Sequence, residues 1–528
     1  MKKIGFWEAY SIGIGGMIGG GIFAVLGLTI LLAKGAAPIA FIFAGIIALL
    51  TSYSYAKLSV RYPSEGGTVE FLVRAFGNNI ITGYLNTLLL ASYVIMLALY
   101  SYAFGSYASV LFLGHEVVLA KKLFIALVIG FFTVLNFLGA YVSGKAEDVM
   151  VFMKVGILLL FSGLGLFTGD FSRLSPEHWE SLLKIMTGGL IIFLAYEGFE
   201  LIANTAQDVE DPERTLPKAF YAAVITVIFI YVLVSIVAVA NLTYEEVQKY
   251  SDYALAVAAK PFLGQAGFVL IGIAALLSTA SAINATLYGS ARVSYLVAKF
   301  GALPKNLTKH IWKYGTEGLL ILAILTVIFA ISFNLENISI AGSLGFLIIF
   351  AGVNLANFKL AYYTDSNRWI SLFAFLMCVV SIFVLVYHNL KTNPQSLASS
   401  FVVLVLTLLF EVTYRFFTKV KIQEYVDWKL KEREGLLKEA EKYISAISEK
   451  VRKEIPEAEI YLSGIFAEKG KEKSGHVNIY VVSEDREKAS EVLQKAQKEL
   501  NLPEYHPFHI KVLHKLEKEK LPEKKKKL

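Results

Sequence analysis

The sequence predicts an all-α polytopic membrane protein of twelve transmembrane helices, followed by a small C-terminal α+β unit. Three observations predict it. Hydrophobic residues occupy 56% of the 528 positions and the mean hydropathy is positive, a composition of membrane proteins rather than of soluble enzymes with one anchor. The apolar signal runs from about residue 7 to residue 417 and then stops, leaving a charged tail. Glycine and acid interruptions recur in the first and the sixth apolar segments, which marks two five-helix inverted repeats whose broken helices meet near mid-membrane.

Taken in order, the apolar segments fall at about 7–33, 38–60, 79–112, 122–142, 147–169, 182–207, 217–241, 265–298, 317–333, 336–361, 367–389 and 397–418. About 20 apolar residues span a bilayer, so the third and eighth are long enough to tilt strongly or to emerge from it. With the amino terminus inside, seventeen Lys and Arg residues fall in inner loops against seven in outer ones. The positive-inside rule then places both termini in the cytosol of a multi-pass plasma-membrane protein. The formal charge of +7 calls for no nucleic-acid partner, because the basic residues gather in those loops and in the tail. The one cysteine, Cys378, lies in an apolar segment and excludes an intramolecular disulfide. No cleavable signal peptide is evident, since the first apolar segment is too long and lacks a small-residue cleavage pattern.

The first segment contains Gly13-Ile14-Gly15-Gly16-Met17-Ile18-Gly19-Gly20-Gly21-Ile22-Phe23. Each glycine costs a helix ~1 kcal/mol against alanine, and unpaired backbone in hydrocarbon costs more. Three in succession therefore predict an unwound stretch lining a protein cavity, rather than the close helix packing that scattered small residues give. The sixth segment carries Thr187-Gly188-Gly189, then Phe193-Leu194-Ala195-Tyr196-Glu197-Gly198-Phe199-Glu200. Two carboxylates inside an apolar run are expensive and mark function. Half-helix ends supply free amides and carbonyls, and an amino-acid zwitterion fits both.

These stretches resemble the amino acid–polyamine–organocation (APC) transporter superfamily. The likeness rests on Gly16 to Phe23, on Gly198-Phe199-Glu200-Leu201-Ile202, and on Asp211-Pro212-Glu213-Arg214-Thr215-Leu216-Pro217. Ala254 to Gly264, Asn284-Ala285-Thr286 and Thr316-Glu317-Gly318 are similar to the ApcT-like proton-coupled members, which have the LeuT-type fold. The resemblance covers about residues 5–418. It implies a substrate site built from backbone, with the carboxylate on the amides of Gly19, Gly20 and Gly21. The amine would meet carbonyls at Met17, Leu194, Ala195 and Glu197, and Phe193 and Glu200 would act in gating. Glu197 departs from the pattern, since relatives usually carry an apolar residue there. Facing the pocket, it favours a cationic side chain; facing the inner vestibule, it is a solvated gate residue.

Lys154 lies deep in the fifth segment, too far from a helix end to snorkel, so it needs a polar partner or loses its proton. In ApcT-like proteins a lysine here takes the place of the sodium ion held by sodium-coupled relatives. The resemblance implies that Lys154 carries the coupling proton beside the Gly15 carbonyl and the hydroxyls of Ser278 and Thr279. Those hydroxyls are also of the kind that bond back to their own helix. His115 and His388 cluster with no other ligand type, so neither a metal site nor a cofactor is expected.

The tail reads as a charged helix over 422–455, strands at 459–462 and 477–482, a helix over 486–500 and a strand over 508–513. Gly464-Ile465 with His476-Val477-Asn478 resembles a degenerate minimal nucleotidyltransferase motif. Ile465 stands where that motif has serine, and His476 and Asn478 where it has aspartates. Without those carboxylates paired magnesium ions lack hard ligands. Two readings follow, a catalytically dead relic used for binding or regulation, and an unrelated small α+β domain. The closing Lys524–Lys527 run reads as a disordered tail drawn to anionic lipid headgroups.

Together these features imply a secondary transporter, not an enzyme, that moves amino acids with protons by alternating access. The expected partners are an amino acid, protons and the lipid bilayer. An obligate antiporter and a non-transporting amino acid sensor signalling through the tail are the alternatives.

Overall fold

The computed structural model describes residues 4–64, 66–77, 79–138, 144–299, 303–312, 315–418, 428–470, 473–503, 506–522 and 525–528. The expected boundary between membrane and soluble parts, at 421–422, lies outside the described residues, as does Lys524.

The first apolar segment forms two helices, α1 (Phe6–Met17) and α2 (Gly21–Ala33), bent by 47° across Ile18, Gly19 and Gly20. Next come α3 (Ala37–Arg61), the short α4 (Thr68–Phe76), α5 (Ile80–Leu113), α6 (Val118–Phe137) and α7 (Gly144–Gly165). The sixth segment starts as α8 (Leu182–Ile192) and tightens into 3₁₀ turns at Phe193–Tyr196. It breaks at Glu197 and Gly198, then resumes as 3₁₀ turns at Phe199–Thr205. Then follow α9 (Pro212–Asn241), the short α10 (Tyr244–Tyr250) and α11 (Ala254–Ala258), and α12 (Lys260–Lys299), kinked at Gly264. A two-stranded ribbon, β1 (His310–Trp312) and β2 (Gly315–Thr316), leads into α13 (Glu317–Ser332), α14 (Leu335–Lys359), α15 (Arg368–Thr392) and α16 (Pro394–Thr418). Side-chain caps fix several starts: Asn79, Thr316, Asn334 and Asn367 accept amide hydrogen bonds at the heads of α5, α13, α14 and α15.

Nine helices among the described residues are long and apolar enough to cross a membrane, ten with the bent pair counted as one. Twelve crossings are expected from the sequence. The fifth and ninth segments supply shorter apolar helices, Val149–Gly165 and Glu317–Ser332. In the fifth, α7 itself runs over Gly144–Gly165, and its apolar stretch begins at Val149. The apolar stretches of α5 and the sixth segment are 89% buried and that of α14 83%, against 28% for α6, α15 and α16. The first three therefore form the centre, and the others face outward.

The Thr187-Gly188-Gly189 run is not part of the break. It is regular helix within α8, where Gly189 packs against the Ala40 carbonyl of α3 and the Gly188 carbonyl accepts from Thr29. Small residues there serve close packing, and the unwinding lies farther along, at Glu197 and Gly198.

The C-terminal unit holds α17 (Trp428–Lys438), α18 (Ala440–Glu454), β3 (Glu459–Ser463), α19 (Gly464–Lys469), β4 (Val477–Ser483), α20 (Arg486–Glu499), β5 (Phe508–His514) and β6 (Lys525–Lys527). Its sheet runs β5-β4-β3-β6, with β4 and β5 parallel and the other pairs antiparallel. Strand β4 is buried along its whole length because both faces are covered. Ile479 and Val481 meet Ile447 and Val451 of α18 and Val492 of α20, while Tyr480 and Val482 meet Tyr461 and Leu521. Three expectations change here. The single helix expected over 422–455 is, within its described residues, two helices separated at Glu439. Gly464–Gly470, which the sequence suggests as a hairpin, is helical over Gly464–Lys469, and Lys525–Lys527 is an edge strand on β3.

Candidate functional site

The two broken helices touch through backbone. A Cβ placed on Gly16 would lie 2.8 Å from Cα of Gly198, and one on Gly21 would run into Ala195. Gly198 also has φ +117, a region that residues with a Cβ rarely adopt, so glycine is required there twice over. Where α1 ends, Ile18 leaves helical geometry at ψ 49. Among the described residues Gly19 and Gly20 donate no hydrogen bond. Free amides therefore face the break, as a carboxylate ligand requires.

Three of the carbonyls expected to meet an amine, those of Met17, Leu194 and Ala195, are already engaged. The Tyr231 hydroxyl of α9 lies 2.7 Å from the Met17 carbonyl and 3.1 Å from that of Ala195, tying the two breaks together. The Leu194 carbonyl accepts from the Glu197 amide at 3.3 Å. Tyr100 closes the other side: its ring sits against Gly19 and Gly20, and its hydroxyl lies 3.5 Å from the Gly16 carbonyl. Neither tyrosine stands out in the sequence, where both lie in apolar runs among 28 tyrosines.

Lys154 reaches the end of α1 from α7. Its ammonium donates to the Ile18 carbonyl at 3.1 Å and lies 3.5 Å from that of Gly15. The Ser278 hydroxyl of α12 donates to the same Ile18 oxygen at 2.7 Å. One released carbonyl thus joins helices from three parts of the chain. Thr279 is not in this node, because its hydroxyl bonds back to Ala275 at 2.7 Å. The principal acceptor is Ile18 rather than Gly15, a choice set by where the helix unwinds.

The acids sit beside the second break. Glu197 is 1% exposed, and neither carboxylate oxygen has a hydrogen-bond partner among the described residues. It is not a solvated vestibule residue in this conformation. Glu200 is equally buried, with one oxygen accepting from the Gly198 amide at 2.7 Å. The Phe193 ring packs edge-on against Phe350 of α14, 5.9 Å between centroids, beneath a cluster that includes Phe199 and Tyr55. On the opposite side α10 and α11 cover α2. Gly27 lies against the Ser251 backbone, and Asp252 accepts from Tyr102 at 3.0 Å and pairs with Lys121 at 3.4 Å. Among the described residues no group of three or more His, Cys, Asp or Glu is placed to hold a metal ion.

Known proteins resemble this chain in sequence and in fold. A family model described as amino acid permease matches residues 4–410. An uncharacterized protein of Methanocaldococcus jannaschii is 39% identical over 423 residues, covering 79% of this chain and 96% of its own length. The inner membrane transport protein YbaT of Escherichia coli is 33% identical over 404 residues, covering 75% of this chain and 92% of its own. The crystal structure of a manganese transporter mutant from Eremococcus coleocola has a similar fold, with TM-score 0.52 over 80% of this chain and 96% of that one, at 13% identity.

Proposed function

The chain belongs to the amino acid permease family of the APC superfamily, and from that premise we propose a proton-coupled amino acid symporter working by alternating access. The family is one of membrane transporters and not of enzymes, and the match ends before the C-terminal unit. In this reading the substrate carboxylate binds the free amides at Gly19, Gly20 and Gly21. Its ammonium replaces the Tyr231 hydroxyl on the carbonyls of Met17 and Ala195. Glu197, two residues after Ala195, biases the site toward cationic side chains, while Phe193 and Glu200 move with the second break as the gate. The excess of basic residues in one set of loops supports cytosolic termini, and the reading places the carrier in the plasma membrane.

The observation that carries the coupling assignment is the Lys154 ammonium, 3.1 Å from the Ile18 carbonyl. Protonated, it makes a charge-assisted bridge from α7 to the end of α1; neutral, it loses that charge. A change of a few kcal/mol between the two states is enough to shift the populations of two conformations. Uptake of a radiolabelled amino acid panel into proteoliposomes tests the reading, with an imposed pH gradient and no sodium. Accumulation that follows the gradient is expected. A need for internal amino acid identifies an antiporter, binding without uptake identifies a sensor, and a sodium requirement overturns the role of Lys154.

A further inference from the structure

We propose that the C-terminal unit carries a carboxylate-binding cradle that grips Glu213 of the membrane domain and so latches the helix ends beneath the broken helices. Glu213 is the second residue of α9, directly after Pro212. Its side chain enters the C-terminal unit instead of remaining in water. The Ile465 amide donates to both carboxylate oxygens, at 2.9 and 3.1 Å. The Ser474 hydroxyl and the Asn478 amide group each lie at 3.4 Å, and Nε2 of His476 lies 3.1 Å from Oε1. Ser474 and His476 are fully buried and Asn478 nearly so. Buried donors without an acceptor are costly, and the carboxylate satisfies the Ile465 amide of α19 and the Asn478 amide group of β4. The Ser474 hydroxyl donates more closely to the His476 carbonyl, at 2.5 Å, and the His476 ring stands beside the carboxylate without a hydrogen bond among the described residues. Gly464 completes the cradle: with φ +80, any side chain there would occupy the place of the Glu213 carboxylate. The two positions at which the resembled motif has aspartates hold donors here, so the stretch suits an anion in place of cations.

The position of Glu213 turns a contact into a latch. The segment just before it pairs with the amino terminus, the Ile4 amide donating to Asp208 and the Glu210 amide to Ile4, each at 2.8 Å. Ile4 leads into α1, and α1 lies against the turns after the second break, where Gly13 meets Ile202. A grip on Glu213 therefore restrains the lower halves of both broken helices. The same unit is anchored elsewhere through Glu434, 3.2 Å from Arg74 of α4, and through Lys469, which pairs with Asp365 between α14 and α15. One body thus straddles elements that have to part if this face is to open. The latch rests on the transporter reading, but its test needs no transport.

The full chain in lipid nanodiscs carries a reporter thiol, Ile202→Cys, buried against Gly13, with Cys378→Ser removing the native thiol. Maleimide labelling of the reporter measures opening between α1 and the second break, and amide exchange over residues 474–478 measures the grip. In Glu213→Gln and, independently, in Gly464→Ala, both rates are expected to rise at least tenfold. The exposed control Glu245→Gln leaves both unchanged. If exchange rises and labelling does not, the unit is a passive cap and the latch is overturned. If neither changes in Glu213→Gln, the cradle is overturned as well. Absence of uptake in proteoliposomes would remove the transporter reading and leave these two rates untouched.

Discussion

At the scale of single residues, the proposed function assigns coupling to Lys154 and recognition to Glu197, and the two assignments are tested separately. In Lys154→Ala the Ile18 carbonyl keeps the Ser278 hydroxyl at 2.7 Å, so the end of α1 stays satisfied and the fold survives. Proton-driven accumulation is expected to vanish while amino acid binding persists, as read by uptake under a pH gradient and by calorimetric binding. Normal accumulation by the variant would refute the coupling role. For Glu197→Gln, affinity for lysine and arginine is expected to fall at least tenfold, about 1.4 kcal/mol, with neutral amino acids spared. Equal effects on both classes would return Glu197 to a gating role. What the sequence makes legible at this scale is chemistry that hydrocarbon makes conspicuous, an ammonium in one span and two acids in another. Tyr231 and Ile18 stay hidden because a phenol and a backbone carbonyl look the same at every position. Only the three-dimensional break shows which ones are left to bond.

Among the elements, the two interruptions were legible to different degrees. Gly19, Gly20 and Gly21 mark the first break because three glycines in a row weaken a helix at one point, and each also lies too close to a neighbour to carry a side chain. In the sixth segment Gly188 and Gly189 look like the same signal yet are helical, since a small residue also suits a close crossing with α3. Gly198 is the decisive one, and its φ of +117 is invisible in sequence. Gly198→Ala is expected to cost roughly 1–3 kcal/mol in backbone strain alone, with added overlap against Gly16. Thermal unfolding in detergent should show a clear drop in midpoint and loss of substrate-induced stabilisation. Tyr231→Phe removes the hydroxyl shared by Met17 and Ala195. A loss of about 1–3 kcal/mol is expected, with the unfolding midpoint falling accordingly.

For the whole molecule, the membrane domain matches a known family to residue 410, while the C-terminal unit stands outside that match. Truncation after Lys421 is expected to leave a monodisperse, folded carrier that still transports. Complete loss of uptake by such a protein would show the unit to be integral. Docking should weaken in acid: the Lys469 ammonium that donates to Asp365 holds this carboxylate below its ordinary value, with Lys57 and Lys473 reinforcing the effect. A depressed carboxylate contributes full stability above its ordinary value, about pH 4, and loses it as pH falls through the lowered one. Limited proteolysis of the C-terminal unit should therefore accelerate as pH drops below 4, and also at neutral pH in high salt, because the pair is partly exposed and screened. The contact of Gly16 with Gly198 has a different reach. A clamp made of main chain is passed on unchanged by almost any substitution around it, so a mutant library can rewrite cargo preference without dismantling the grip. Selections for new specificity should recover changes at side chains such as Glu197 and leave the two glycines intact.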